Sequence, residues 1–191
     1  MTRPSPWKAS KRPNSLAVAR IRRAKPLSER RAERDLVDDP KVVLDAALRF
    51  LEARPRSATE VRRRLIDAGY REELVAGAIE RLAELGVLDD EAFARAWVES
   101  RDRVRPRGER ALRSELFRKG IDRQLADDVL EEREQTRPGA NAEAAARLIE
   151  RHASALARIS DPRARRQRAY ALLARNGFDP DVAATLARRV E

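Results

Sequence analysis

The sequence has no cysteine. That excludes disulfides, thiolate metal sites and thiol catalysis, and it fits a reducing compartment. It has a single histidine, His152, set in a charged stretch beside Arg151, with no second ligand for a zinc site. Aromatic residues make up 4% of the chain and methionine occurs once, so alanine, leucine and valine carry the apolar content. No apolar run approaches the roughly 20 residues that cross a bilayer. Neither a G-x-x-x-x-G-K-[ST] loop nor a G-x-G-x-x-G loop occurs, and no serine has a recognisable nucleophile setting. Acidic residues are many, but no pair stands out for acid–base work. These absences point away from an enzyme and away from a bound metal or cofactor.

What is present is a repeated phrase. Arg54, Pro55, Arg56, Leu65 and Gly69 return 51 residues later as Arg105, Pro106, Arg107, Leu116 and Gly120. A looser third copy runs from Ala164 to Phe178. A period of this length predicts stacked helical units with an extended surface, an architecture that binds macromolecules more often than it does chemistry.

Apolar residues at helical spacing and the punctuation between them divide the chain. Asp39 and Pro40 open a helix carrying Val43, Ala47, Phe50 and Leu51, which Pro55 ends. Ser57 caps the next helix, Glu60 completes an S-x-x-E pattern, and Gly69 stops it. A third helix spans 72–85. The second unit repeats the order: Asp89 or Asp90 caps a helix with Phe93, Ala94, Trp97 and Val98, a middle helix carries Ala111, Leu112, Leu116 and Phe117 and stops at Gly120, and Asp122 caps the last. In the third unit Asn141 is the expected first cap, Asp161–Pro162 opens the middle helix, Gly177 ends it, and Asp179–Pro180 opens the last. The reading is all-α: three tandem three-helix repeats in an elongated, curved arrangement, over 39–88, 89–137 and 138–191. Residues 1–38 form a basic, flexible N-terminal arm, broken by Pro4, Pro6, Pro13 and Pro26, with a short helix possible at Leu16–Ala24.

Charge is unevenly placed. The chain carries a net +10, and residues 1–34 hold eleven Arg or Lys against two Glu, so the rest sums to +1. Such an arm can bind nucleic acid or an acidic protein through salt-sensitive contacts, or simply be a solvated extension. The middle helices are also basic, with Arg62, Arg63 and Arg64 in unit one. Unit two offers Arg107, Arg110, Arg113, Arg118 and Lys119, and unit three Arg163, Arg165 and Arg166. Stacked in register, they make a basic stripe suited to phosphate or carboxylate, and they are the candidate partner-binding residues. A plain charged solvent face is the alternative. Major-groove reading by a helix-turn-helix fits poorly, because the third helix of unit one offers Glu72, Glu73, Glu80 and Glu84. Asp89 and Asp90 read as caps before they read as ligands. Phe93 and Trp97 share a helix face. Tyr70, Ile121 and Phe178 each follow a unit's glycine, which marks a repeated turn-packing position. For the aromatic residues, Phe117 and Tyr170 included, stacking on single-stranded bases is the alternative to packing.

Three motifs in order carry a family likeness: R-P-R-S-A-T-E-V-R-R-R-L-I-D-A-G-Y at 54–70, G-V-L-D-D-E-A-F-A at 86–94, and R-G-E-R-A-L-R-S-E-L-F-R-K-G-I at 107–121. Over about 42–190 the sequence resembles the RecX family of regulators of the RecA recombinase. The third unit matches more weakly and residues 1–34 lie outside the likeness. The resemblance implies a cytoplasmic bacterial protein without a catalytic site; no cofactor is suggested, and a monomer is expected. It would bind the groove of the RecA–DNA filament and limit strand exchange, coprotease action and ATP hydrolysis. The family's D-D-x-x-F-A element falls on Asp89, Asp90, Phe93 and Ala94, and its R-G element on Arg107 and Gly108. Asp89, Asp90, Phe93 and Ala94, with Gly69, Gly120 and Gly177, are expected to serve structure. Direct DNA binding through residues 1–34 is the rival function.

Overall fold

The computed structural model describes residues 25–190. The possible helix at Leu16–Ala24 and the first part of the arm lie outside the described residues. Within them are eleven α-helices and no strand. They are α1 (Leu27–Asp35), α2 (Pro40–Leu51), α3 (Ala58–Ala68), α4 (Glu72–Glu84), α5 (Asp90–Val104), α6 (Glu109–Arg118), α7 (Arg123–Thr136), α8 (Ala140–Arg151), α9 (Ala153–Ala157), α10 (Pro162–Arg175) and α11 (Pro180–Arg188).

The caps explain where the helices begin. Asp39 accepts from the Lys41 N–H, Ser57 from Glu60, Asp89 from Ala92, Asp122 from Gln124, Asp161 from Arg163 and Ala164, and Asp179 from Val182. Each satisfies N–H groups that the first helical turn leaves unpaired, worth about 1 kcal/mol per cap. Proline at the first position of α2, α10 and α11 gives up a hydrogen bond that was unavailable anyway.

Three separate cores follow. Val43, Val61, Leu65, Val75 and Leu82 meet between α2, α3 and α4. Phe93, Leu112, Leu116, Val129 and Leu130 meet between α5, α6 and α7. Leu148, Leu173, Phe178 and Ala183 meet between α8, α10 and α11, with a small satellite of Leu156, Ala169 and Ala187 under α9. Leu82, Leu112, Leu116 and Leu173 are fully buried, each contributing about 2 kcal/mol by leaving water.

The structure departs from the sequence reading in several places. Residues 27–35, assigned to the flexible arm, form α1 and pack on α3. Arg34 donates to the Ala68 carbonyl at 3.1 Å and stacks over Tyr70, while Arg71 reaches back to the Val37 carbonyl and to Asp38. Asn141 is not a cap. Gly139 precedes α8, and Asn141 lies buried in its first turn with Nδ2 3.3 Å from Asp179. The short helix α9 was not expected. Phe117, read with the inward residues of α6, is 74% exposed, because Leu112 and Leu116 already fill the core side of a short helix.

Candidate partner-binding face

The three middle helices α3, α6 and α10 meet end to end. At one joint the α3 N-terminus sits on the last turn of α6. Ser57 Oγ donates to the Lys119 carbonyl and Thr59 Oγ1 to the Gly120 carbonyl at 3.3 Å. At the other joint the α6 N-terminus sits on the last turn of α10. Gly108 N–H donates to the Asn176 carbonyl at 3.0 Å and Arg110 N–H to the Gly177 carbonyl at 3.2 Å. At this second joint the N–H groups left over at the start of α6 meet carbonyl groups left over at the end of α10; at the first joint two side-chain hydroxyls do so. At about 1.5 Å per residue the row provides roughly 50 Å of helix.

The recurring glycines make this contact possible. Gly120 and Gly177 both have left-handed backbone, with φ +79° and +83°. They also lie against the preceding unit: a Cβ on Gly120 would fall 2.3 Å from Thr59 Cβ, and one on Gly177 2.4 Å from Ala111 Cβ. Gly69 meets the backbone of Arg31 in α1 in the same way. The sequence marks these positions as helix stops. That they also seat the neighbouring unit was not legible in it.

A polar chain crosses both joints. Arg54 and Lys119 flank Glu60, with Lys119 Nζ 2.8 Å from its Oε1. The Lys119 ammonium and the Arg101 guanidinium sit over the Trp97 ring at 4.7 and 4.1 Å, a cation–π arrangement. The indole N–H donates to Glu115 at 2.9 Å, and Glu115 also takes Arg101 at 2.6 Å. Arg107 lies 3.5 Å from Glu115 and donates to the Asn176 side chain at 2.5 Å, which brings the chain to the third module. Burial works against the Glu60 charge, but Lys119 and Arg54 outweigh it and hold the carboxyl below its usual range. Glu60 therefore reaches the next module instead of closing the capping box with Ser57. Asp90, which accepts from the Ala58 N–H at 2.9 Å, is pushed the other way by burial, with Asp89 adding to the rise.

The predicted cations fall into two groups around this frame. Arg62, Arg63 and Arg64 on α3, Arg110 and Arg118 on α6, and Arg163 and Arg166 on α10 are exposed, with no ion-pair partner among the described residues. Arg64 leans over Phe50, Arg118 donates to Ser114 Oγ, and Arg166 donates to the Pro162 carbonyl. The others are engaged inside the chain. Arg107 and Lys119 belong to the polar chain, Arg165 donates to the Ile159 carbonyl at 2.9 Å, and Arg113 pairs with Asp127 and Glu109. Asp89 caps α5, Phe93 stacks on Trp97 with ring centroids 6.0 Å apart, and Ala94 is fully buried. Glu115, and the roles of Glu60 and Trp97 at the joints, escaped the sequence reading because their partners lie up to 59 residues away. Among the described residues no three His, Cys, Asp or Glu side chains cluster to hold a metal, and no helix is long and apolar enough to cross a membrane.

Modules joined end to end, with paired charges at the joints and unpaired cations on the outer faces, define a tandem-repeat binding protein. Models of the first and second three-helix domains of RecX match residues 44–82 and 89–130. A regulatory protein RecX of Chlorobium phaeobacteroides is 32% identical over 142 residues, covering 74% of this chain and 88% of that protein. A Mycobacterium homologue, also a regulatory protein RecX, is 41% identical over 102 residues, covering 53% of this chain and 54% of the relative, so the chain spans about half the length of that relative. The crystal structure of RecX from Lactobacillus salivarius superposes with a TM-score of 0.69 at 24% identity, covering 80% of this chain and 97% of that one. A second RecX crystal structure gives 0.66 at 22% identity, covering 86% and 74%. The chain belongs to the RecX family, and it shares the family's elongated, all-α repeat fold.

Proposed function

We propose that this protein is a non-enzymatic regulator of the RecA recombinase, cytoplasmic and acting as a monomer. It lies in the groove of the RecA–DNA filament and limits strand exchange, coprotease action and ATP hydrolysis. The observation that carries the reading is the end-to-end row of α3, α6 and α10. The row gives a family member named for regulation a basic face long enough to span neighbouring filament subunits. Guanidinium groups along it suit acidic protein surface or DNA phosphate equally, and both are present in a filament. On this reading the repeats run over 39–88, 89–137 and 138–191, and Arg62, Arg63, Arg64, Arg110, Arg118, Arg163 and Arg166 make the contacts. Arg107, Arg113, Arg165 and Lys119 hold the frame. A regulator shifts the filament only so far as it binds one filament state better than another, so weaker binding and weaker inhibition should move together.

The test is binding of the full chain to RecA–DNA filaments with Arg63, Arg110 and Arg166 each changed to Glu. Three reversals on separate modules should weaken association at least tenfold while the fold, read by circular dichroism, is kept. Unchanged affinity places the contact elsewhere. The rival reading, duplex or single-strand binding by the basic arm, predicts instead that deleting residues 1–24 removes every interaction with the filament. That deletion must stop before Lys25, since α1 packs on α3.

A further inference from the structure

Two of the middle helices carry the same exposed triplet. On α6 it is Arg110, Arg113 and Phe117, and on α10 Arg163, Arg166 and Tyr170: in both, arginine, arginine three residues on, and an aromatic ring four further. All six residues are exposed. Phe117 is 74% exposed, an unusual setting for a large apolar ring, and Tyr170 is 38% exposed. Helical spacing puts each triplet on one side of its helix. Phe117 follows the buried Leu116 and Tyr170 the buried Ala169, so the two rings leave their helices on the same flank of the core-facing line. Along the row the rings stand on the order of 25–30 Å apart. Beside Phe117 lies an open groove of about 340 Å³, lined by Arg113, Ile121, Arg123 and Asp127 among others. Arg113 already pairs with Asp127 at 2.6 Å, but both side chains are more than 40% exposed, and such a pair exchanges for phosphate at little cost.

We infer that this flank of the helical body is a platform for single-stranded nucleic acid, with Phe117 and Tyr170 stacking on bases and Arg110, Arg113, Arg163 and Arg166 meeting the phosphates between them. The chemistry fits that ligand better than an acidic protein. Salt bridges to carboxylates need only the arginines, whereas a bare ring one and two turns from a pair of guanidinium groups is what an unpaired base and its phosphate require together. Stacking is indifferent to base identity, so the platform reads no sequence. Duplex DNA hides its base faces and gains nothing from the rings. The site lies on the folded modules and is separate from the basic arm. The inference goes beyond the regulator reading and does not depend on it.

The test uses the full chain and fluorescence anisotropy with a labelled oligothymidylate of about 20 nucleotides, long enough to span both rings, and a duplex of equal length, across a salt series. The double variant F117A/Y170A keeps every charge. It should lose about tenfold or more in single-strand affinity for each ring that stacks, with duplex affinity unchanged. F117Y/Y170F should bind as the parent does. Changing Arg110 and Arg163 to Ala should reduce the single-strand salt slope by about 0.7 for each phosphate no longer neutralised. Unchanged single-strand affinity in F117A/Y170A, or an equal loss on duplex, overturns the inference. So does a variant that binds single strands normally but no longer affects RecA filaments, which would make the face a protein contact. A parent chain that binds single strands through the rings yet leaves RecA filaments untouched would sink the regulator reading and leave this one standing.

Discussion

Substituting alanine for Gly120 should damage the protein far more than the same change at Gly86. Both glycines have left-handed backbone, φ +79° and +66°. Alanine at either site therefore meets the same conformational penalty, about 1–2 kcal/mol. At Gly86 nothing lies within 4 Å of the added methyl, so the penalty ends there. At Gly120 the methyl would sit 2.3 Å from Thr59 Cβ and 2.3 Å from its Oγ1. Thr59 Cβ is fixed to the α3 backbone and no rotamer change moves it, so the joint between the first two modules has to open. Opening it gives up Ser57 Oγ to the Lys119 carbonyl, Thr59 Oγ1 to the Gly120 carbonyl, and Lys119 Nζ to Glu60. At about 1 kcal/mol each these add roughly 2–3 kcal/mol, for a total near 3–5 kcal/mol. Urea denaturation gives the stabilities, and small-angle X-ray scattering should show a changed molecular profile for G120A and an unchanged one for G86A. Thr59→Gly, which removes the obstructing side chain, should restore part of the loss in the double variant. Equal destabilisation by G120A and G86A, with identical scattering, would refute the idea that the joint is sterically fixed.

Other expectations follow from the buried and paired charges. Asp102 and Arg133 form a buried bidentate pair at 2.8 and 2.9 Å, and Arg133 also donates to the Ala140 carbonyl at the start of α8. Asp102→Ala should cost about 3–5 kcal/mol in chemical denaturation by stranding the guanidinium, while D102L/R133M should recover most of it. Glu60 has a lowered folded pKa, so its contribution is present above the unfolded value and lost as pH falls through the folded one. Glu60→Gln should flatten the acid limb of the stability profile below about pH 5. Asp90 has a raised folded pKa, so its contribution is present at low pH and lost as pH rises through that value. Asp90→Asn, which keeps an acceptor for the Ala58 N–H, should be as stable as the parent or more so at pH 7 by thermal melting.

Much of this architecture is legible because local signals repeat. Asp39, Ser57, Asp89, Asp122, Asp161 and Asp179 cap helices through residues two or three positions away, and a cap of that kind is read directly from sequence. The inward leucines follow helical spacing for the same reason. Asn141 misled because an asparagine just past the Pro138–Gly139 break looks like a cap, while Gly139 starts the helix at Ala140 and Asp179 takes the amide. Residues 27–35 misled through their composition: α1 buries no residue fully and is held by Arg34 and Arg71, whose partners, the Ala68 and Val37 carbonyls and Asp38, no pattern reveals. On the candidate face the arginines were visible but not their availability. Arg113 and Arg110 look alike in sequence, yet one meets Asp127 and the other has no ion-pair partner among the described residues. The repeated Arg–Arg–aromatic spacing was present in the sequence. Its meaning depended on learning that Phe117 points outward.

The central claim is that this chain regulates RecA through its helical body. The most direct measurement is ATP hydrolysis and strand exchange by preformed RecA–DNA filaments, titrated with the full chain and with a version starting at Lys25. Both should suppress the two activities, the shorter one retaining the effect at a somewhat higher concentration because it lacks the arm's charge. No suppression by the full chain at saturating binding, or complete loss of it on removing residues 1–24, would contradict the account.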